Sequence, residues 1–220
     1  MAVLASGQGS NLQALLEWSQ HDDASGRIAL VISNRTDAGA LVRARAAGVQ
    51  LAVLYPGANE GPVLLEVLHS HGIDLVVLAG YLRKIPPDVV EDYRGRILNI
   101  HPALLPSFGG PGMFGLHVHE AVLASGARVT GATVHIVDEQ YDRGPIVAQW
   151  PVPVRPGDTP DTLAARVLEV EHRLLPAAVQ AFCHRIENDE PLPAAMHVAA
   201  DAFVLSYFPE QDLDAALVSD

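Results

Sequence analysis

The segment Ile-Leu-Asn-Ile-His-Pro-Ala-Leu-Leu-Pro, residues 97–106, predicts an apolar strand that ends at its first proline, because proline has no N–H to donate to a sheet. Side chains two positions apart share a strand face, so Asn99 and His101 are presented together while Leu98 and Ile100 pack. An amide and an imidazole side by side can both donate to an oxyanion, which indicates a carbonyl-polarising site. The competing interpretation is a turn asparagine and a satisfied core histidine.

Strands and helices alternate on both sides of this segment. Residues 2–5, 28–33, 51–54 and 74–78 are apolar runs with strand character, and stretches with helical spacing lie between them. The continuous Val/Leu run at 74–78 is typical of a parallel strand buried on both faces and predicts a central strand. We therefore predict an α/β fold, Rossmann-like, with a mostly parallel central sheet flanked by helices.

Composition limits the function classes. The chain has 220 residues, and its formal net charge of −12 argues against nucleic-acid and anionic membrane partners. Cys183 is the single cysteine, and the N-terminus enters a strand directly, so we expect a reducing, cytoplasmic setting. We predict a catalytic domain at 1–187, an acidic C-terminal extension of unknown role at 188–220, and a monomer or homodimer.

A glycine loop follows the first strand. Residues 6–11, Ser-Gly-Gln-Gly-Ser-Asn, lead into a helix, and the free amides at such a helix start bind phosphate while Ser10 and Asn11 add side-chain donors. An ordinary Ser/Asn helix cap is the alternative. A dinucleotide site is less favoured, because Gly7 and Gly9 lack the third glycine of G-x-G-x-x-G.

Two further loops are candidates for the site. Residues 107–115 are too glycine-rich for regular structure and are interpreted as a mobile cover. Asp142, in the acidic loop 138–145, could pair with an imidazolium at the strand end. The alternative is that this loop is a solvated hairpin with no role in the site. His117 and His119 lack a third ligand at supportive spacing, so we predict no metal site.

With those segments placed, the chain resembles the phosphoribosylglycinamide formyltransferases, folate-dependent enzymes also called GAR transformylases. The resemblance runs from about residue 3 to residue 182. Methionyl-tRNA formyltransferase and formyltetrahydrofolate hydrolase share the Asn-x-His-Pro and Asp-x-Gly-Pro elements, whereas the glycine-serine-asparagine loop separates the transferase from both. The matching segments are residues 4–13, 31–35, 78–83, 98–106, 131–135, 138–145 and 171–172.

The resemblance implies transfer of a formyl group from 10-formyltetrahydrofolate to the amine of 5-phosphoribosylglycinamide (GAR), through a tetrahedral intermediate and without a metal. It implies that Asn99, His101 and Asp142 are catalytic. The other implied contacts are Gly9, Ser10 and Asn11 at the substrate phosphate, Gly80 at the glycinamide, Glu171 at the ribose, and Arg83, Ile85, Val137, Asp138 and Tyr141 around the pterin.

The chain departs from the family pattern at two basic positions. Similar enzymes can supply a basic residue to the folate tail from a loop near residues 56–62, yet no Lys or Arg lies between Arg45 and Arg83. Some relatives have a lysine near the substrate phosphate where this chain has Leu168, which leaves Arg166 as the candidate substitute.

Three other functions compete with the transferase. Hydrolysis of the same formyl donor would put water in place of the amine. A transfer-RNA formyltransferase would need a basic C-terminal domain, whereas this C-terminus is short and acidic. A catalytically silent nucleotide-binding module would not require Asn99, His101 and Asp142 to converge.

Overall fold

The computed structural model describes residues 1–55, 57 and 59–190; most of the predicted extension, from residue 191 onward, lies outside the described residues. The strands are β1 (Ala2–Leu4), β2 (Leu30–Ser33), β3 (Gln50–Val53), β4 (Val76–Leu78), β5 (Ile97–His101), β6 (Val129–Ile136) and β7 (Ile146–Pro153). The helices are α1 (Ser10–Trp18), α2 (Gly39–Ala46), α3 (Glu60–Ser70), α4 (Pro87–Asp92), α5 (Leu116–Ala124) and α6 (Pro160–Glu187).

These strands form one seven-stranded sheet in the order β3-β2-β1-β4-β5-β6-β7. The first five strands are parallel, whereas β6 runs antiparallel to β5 and β7 antiparallel to β6. The α/β prediction with a mostly parallel sheet is confirmed, and β4 holds the predicted central place. The strand order reverses between β1 and β4, and open α/β sheets bind ligands at such a switch point, beyond the carboxyl ends of the strands.

Helices cover both faces of the sheet because its central strands are apolar on both sides. In β1, Val3 packs in the core layer beneath α1, α2 and α6, whereas Ala2 and Leu4 pack in the layer beneath α3 and α4. Val77 of β4 belongs to the first layer and Val76 to the second. The alternation follows from the two-residue period of a strand.

Helix α6 begins at a capping box. The Thr159 hydroxyl accepts a hydrogen bond from the Thr162 amide at 3.2 Å, and the Thr162 hydroxyl accepts one from the Thr159 amide at 2.9 Å. Two free amides at the helix start are thereby satisfied. Helix α2, by contrast, starts at Gly39 and has no side-chain cap.

We expect Thr159→Ala to lower the free energy of unfolding by about 1 kcal/mol, the usual cost of losing a side-chain cap. Thr36→Ala is the matched control, since Thr36 is exposed and caps no helix. Urea unfolding of both variants measures the difference. An equal loss in the two variants would contradict the capping role of Thr159.

Candidate active site

The register between β5 and β6 places Asn99 directly opposite His135. His135 Nδ1 lies 2.9 Å from the carbonyl oxygen of Ile136, which can only accept, so Nδ1 carries the proton and Nε2 is an acceptor. The Asn99 amide nitrogen lies 3.0 Å from His135 Nε2 and donates to it. His135 therefore fixes the orientation of the Asn99 amide and leaves its second N–H for a ligand.

His101, at the end of β5, is only 3% exposed. Its Nε2 donates to the carbonyl oxygen of Phe108 at 2.8 Å, so Nδ1 is the nitrogen that gains or loses a proton. Nδ1 lies 3.7 Å from Asp142 Oδ2. Burial lowers the pKa of His101 below its ordinary value, while Asp142 and the Phe108 carbonyl partly oppose that shift.

The Asp142 carboxylate lies between both histidines. Its Oδ2 accepts a hydrogen bond from the Gly110 amide at 2.8 Å, and its Oδ1 lies 3.5 Å from His135 Nε2. Burial opposes ionisation of Asp142, but the hydrogen bond from the Gly110 amide and the neighbouring His101 hold its pKa below the ordinary value. His135 Nε2, which accepts from Asn99, donates no hydrogen bond to this carboxylate. The carboxylate is accordingly charged at neutral pH.

The structure thus brings together the three residues predicted to be catalytic and adds a fourth, His135. His135 lies inside the matching segment 131–135, but the sequence indicates no role for it. The one sequence feature that points to His135 is its spacing of two residues from Thr133, which puts both side chains on the same strand face. Its pairing with Asn99 could not be predicted, because the pattern of neither strand gives the register of β6 against β5.

Two cavities meet at Asn99 and Asp142. The larger has a volume of about 510 Å³ and reaches Asn11, Gly80 and Glu171, three of the predicted substrate-binding residues. The smaller has a volume of about 80 Å³. All five predicted pterin contacts line it: Arg83, Ile85, Val137, Asp138 and Tyr141.

The glycine loop presents the start of α1 to ligand without a side-chain cap. Gly9 is the N-cap residue with φ of 74°, a left-handed conformation that favours glycine, and a Cβ there would lie 2.7 Å from Ala40 Cα. The alternative of a Ser/Asn helix cap is not observed. Asn11 lines the larger cavity, whereas Ser10 lines a separate open groove of about 730 Å³ between α1 and α6.

Glu171 of α6 is 7% exposed and accepts a hydrogen bond from the Asn11 amide nitrogen at 2.6 Å. Burial raises the pKa of Glu171 to about 7, with the Asn11 hydrogen bond opposing the shift. The Asn11 side-chain oxygen is buried and has no hydrogen-bond partner. A buried acceptor of this kind is costly unless a ligand donates to it.

The two basic candidates are already engaged in ion pairs. Arg166 contacts Asp158 at 2.7 Å and the Pro153 carbonyl at 2.9 Å, and it lines neither of the two cavities. Arg83 forms a two-pronged ion pair with Glu60, with distances of 2.6 and 3.1 Å. Arg166 therefore does not replace the lysine that some relatives place near the phosphate.

Comparison with known proteins identifies the family. Residues 1–179 match the family model described as formyl transferase. The chain belongs to this family. It is 45% identical over 190 residues to the chloroplastic phosphoribosylglycinamide formyltransferase of Arabidopsis thaliana, an alignment that covers 83% of this chain and 65% of that protein. The chain thus spans less than two thirds of the plant relative.

Shorter relatives agree with this assignment. The phosphoribosylglycinamide formyltransferase of Escherichia coli K12 is 38% identical over 187 residues, which cover 83% of this chain and 86% of that protein. The crystal structure of glycinamide ribonucleotide transformylase 1 from Symbiobacterium toebii superimposes with a TM-score of 0.78 at 42% identity, covering 83% of this chain and 86% of that one. The predicted formyltransferase fold is thereby confirmed.

Residues 1–55, 57 and 59–190 contain no group of three or more His, Cys, Asp or Glu side chains that could hold a metal ion. Within the same ranges, no helix has both the length and the apolar character needed to cross a membrane.

In this formyl transferase we expect Asp142→Asn to lower the pKa of His101. The Asp142 carboxylate stabilises the protonated His101 ring and so opposes the lowering of its pKa by burial. Without that negative charge, burial lowers the pKa of His101 further. Nuclear magnetic resonance titration of the His101 ring measures the change. Asp138→Asn, in the same loop, is the control and should leave the titration unchanged. A titration that does not move in Asp142→Asn would contradict the coupling.

The buried Glu171 predicts a dependence of stability on pH. Because its folded pKa of about 7 exceeds the ordinary value of 4.5, the parent loses stability as pH rises through this window. Glu171→Gln removes that loss, so its stability relative to the parent should increase by about 2–3 kcal/mol between pH 5 and pH 8. Urea unfolding at both pH values measures it. The exposed neighbour Glu169→Gln should show no such trend, and a flat difference for Glu171→Gln would contradict the assignment.

Proposed function

We propose that this chain transfers a formyl group from 10-formyltetrahydrofolate to the amine of GAR, a step of purine biosynthesis. The observation that carries the proposal is the meeting of two cavities at Asn99 and Asp142. A transfer between two bound molecules needs two compartments that share one reaction centre. The relatives named phosphoribosylglycinamide formyltransferase support the identity of both molecules.

In this proposal the larger cavity receives GAR. Its phosphate binds at the start of α1, where Asn11 lines the larger cavity and Ser10 lines the groove between α1 and α6. The first amides there have no acceptor within the helix, and the helix dipole favours an anion. Gly80 adopts a φ of 75° and adds no side chain to the cavity, which allows the glycinamide to approach the backbone. The ribose hydroxyls reach Glu171 and donate to the unpartnered oxygen of Asn11.

The smaller cavity receives the pterin of the folate donor. Arg83, Ile85, Val137, Asp138 and Tyr141 surround it, and the formyl group then lies at the junction of the two cavities. There the amine of GAR attacks the formyl carbon. The oxyanion that forms accepts a hydrogen bond from the free N–H of Asn99. One such donor typically raises the rate by about 10²–10³-fold. Once protonated at Nδ1, His101 adds positive charge beside the oxyanion.

Proton transfer completes the reaction. Attack leaves a positively charged amine nitrogen, and the same proton must reach the departing folate nitrogen. The charged Asp142 carboxylate accepts it, directly or through water, and then delivers it, while also stabilising the His101 imidazolium. Atoms and charge balance without a covalent enzyme intermediate. Cys183, the only thiol, is buried far along the chain in α6 and takes no part.

Hydrolysis of the same donor is the nearest alternative, and the site for the amine argues against it. The start of α1, the unpartnered oxygen of Asn11 and the buried Glu171 form a polar pocket that water alone would not need. The test is a formyl-transfer assay with 10-formyltetrahydrofolate, run with and without GAR. Formyl release that does not depend on GAR would overturn the transferase proposal. Asp142→Asn serves as the catalytic control, with an expected loss in kcat of about 10²–10⁴.

We further propose that residues 1–187 form the catalytic domain, since α6 ends at Glu187. The net charge of −12 supports small-molecule substrates over nucleic-acid or anionic membrane partners. A cytoplasmic setting and a monomeric or homodimeric state remain predictions. Size-exclusion chromatography with light scattering tests the oligomeric state.

We expect Ser10→Ala to raise the KM for GAR more than it lowers kcat, because the phosphate lies far from the formyl carbon. Ser125→Ala, a hydroxyl remote from both cavities, is the control. Steady-state kinetics with varied GAR measures the effect. An unchanged KM with a collapsed kcat would contradict the placement of Ser10.

A further inference from the structure

The folate donor is anionic, but the rim of its cavity offers few cations. Arg83 and Lys84 are the basic residues that line the smaller cavity. Both prongs of the Arg83 guanidinium are already bound to Glu60, whose side chain is only 11% exposed. Arg83 is therefore largely neutralised before any ligand arrives.

Lys84 is differently placed. It is the only lysine of the sequence, and it is exposed. Its ammonium lies 5.7 Å from the centroid of the Tyr141 ring, a cation–π contact. Within the described part of the chain it forms no ion pair.

The acidic groups of the neighbouring loop have other partners. Glu139, the carboxylate near enough to interact with the Lys84 charge, pairs with Arg94 at 2.9 Å. Asp138 accepts a hydrogen bond from the Gln140 amide at 2.8 Å. The Lys84 ammonium is thus held in place on an aromatic ring and remains available to an incoming anion.

The position of Tyr141 indicates what that anion is. Tyr141 lines both cavities, as Asn99 and Asp142 do, so it stands beside the point where the formyl-bearing nitrogen of the folate must lie. A folate continues beyond this nitrogen as an aminobenzoyl ring and then a glutamate tail. A folate that left the junction past Tyr141 would bring its aminobenzoyl ring to this aromatic side chain. Its tail carboxylates would then come within reach of the Lys84 ammonium, which lies 5.7 Å from the centroid of the Tyr141 ring.

We infer that Lys84 is the residue that recognises the glutamate tail of the folate donor. The inference rests on the proposed function and adds to it the group that selects between short and long tails. The chain carries a formal net charge of −12, so a polyanionic tail requires a local cation. Lys84 supplies this cation, whereas the segment between Arg45 and Arg83 contains no Lys or Arg.

The kinetic test compares two donors, 10-formyltetrahydropteroate, which has no glutamate, and 10-formyltetrahydrofolate with five glutamates. In Lys84→Met we expect the KM advantage of the long tail to shrink by about 3- to 5-fold, the upper range for an exposed ion pair. Lys84→Arg should retain the advantage. Arg45→Met, an exposed cation on α2 with the same change in net charge, should also retain it.

Two outcomes would overturn the inference. If KM rose equally for both donors in Lys84→Met, Lys84 would act by holding Tyr141 and its loop, and not by binding carboxylates. If the long-tail advantage did not change, Lys84 would have no role in donor selection. Failure of the proposed function is separate, because the parent enzyme would then fail to transfer formyl to GAR from either donor.

A labelling test does not depend on turnover. Because Lys84 is the only lysine, an amine-acetylating reagent modifies Lys84 and the chain's α-amino group, which peptide mass spectrometry separates. We expect tetrahydrofolate with five glutamates to slow acetylation of Lys84 in the parent enzyme. Tetrahydropteroate should not slow it. Equal protection by both compounds, or protection by neither, would overturn the inference.

Discussion

The carboxylate of Asp142 is the point on which the rest of the site depends. It contacts the side chains of His101 and His135 and accepts the Gly110 amide, so one charge connects two strands and the glycine-rich loop. Asp142 and Phe108 both have left-handed backbones, with φ of 52° and 54°. This conformation costs roughly 1–2 kcal/mol per residue. The buried polar contacts that each residue makes offset the cost.

The loop that carries Asp142 shows why the antiparallel strand matters. Since β6 runs antiparallel to β5, its end at Ile136 lies beside Leu98, near the start of β5 and not at the end that carries His101. The Ile136 amide donates to the Pro145 carbonyl at 2.8 Å, which closes the loop at its base. The loop therefore extends over the strand face, and Asp142 reaches His101 from above the sheet.

A second long-range contact organises the larger cavity. Asn11 follows the first strand, and Glu171 lies 160 positions later in α6, yet their side chains are hydrogen-bonded. Burial raises the pKa of Glu171 to about 7, so its carboxyl group is only partly ionised at neutral pH. The larger cavity is thus lined from both ends of the domain, whereas the smaller cavity is lined mainly by the segments after β4 and β6. The linings of the two cavities overlap at Tyr81, Asn99, Tyr141 and Asp142.

The sequence by itself determined the βα rhythm, the central place of β4 and the shared face of Asn99 and His101, because these depend on local periodicity. Its motifs also singled out Asp142 and the glycine loop at the start of α1 as candidates for the site. Tertiary structure alone decided that His135 orients Asn99, that Ser10 faces an outer groove, and that Arg166 serves an ion pair with Asp158. Those outcomes depend on strand register, loop closure and helix packing, which bring distant residues together and leave no periodic signal in the chain.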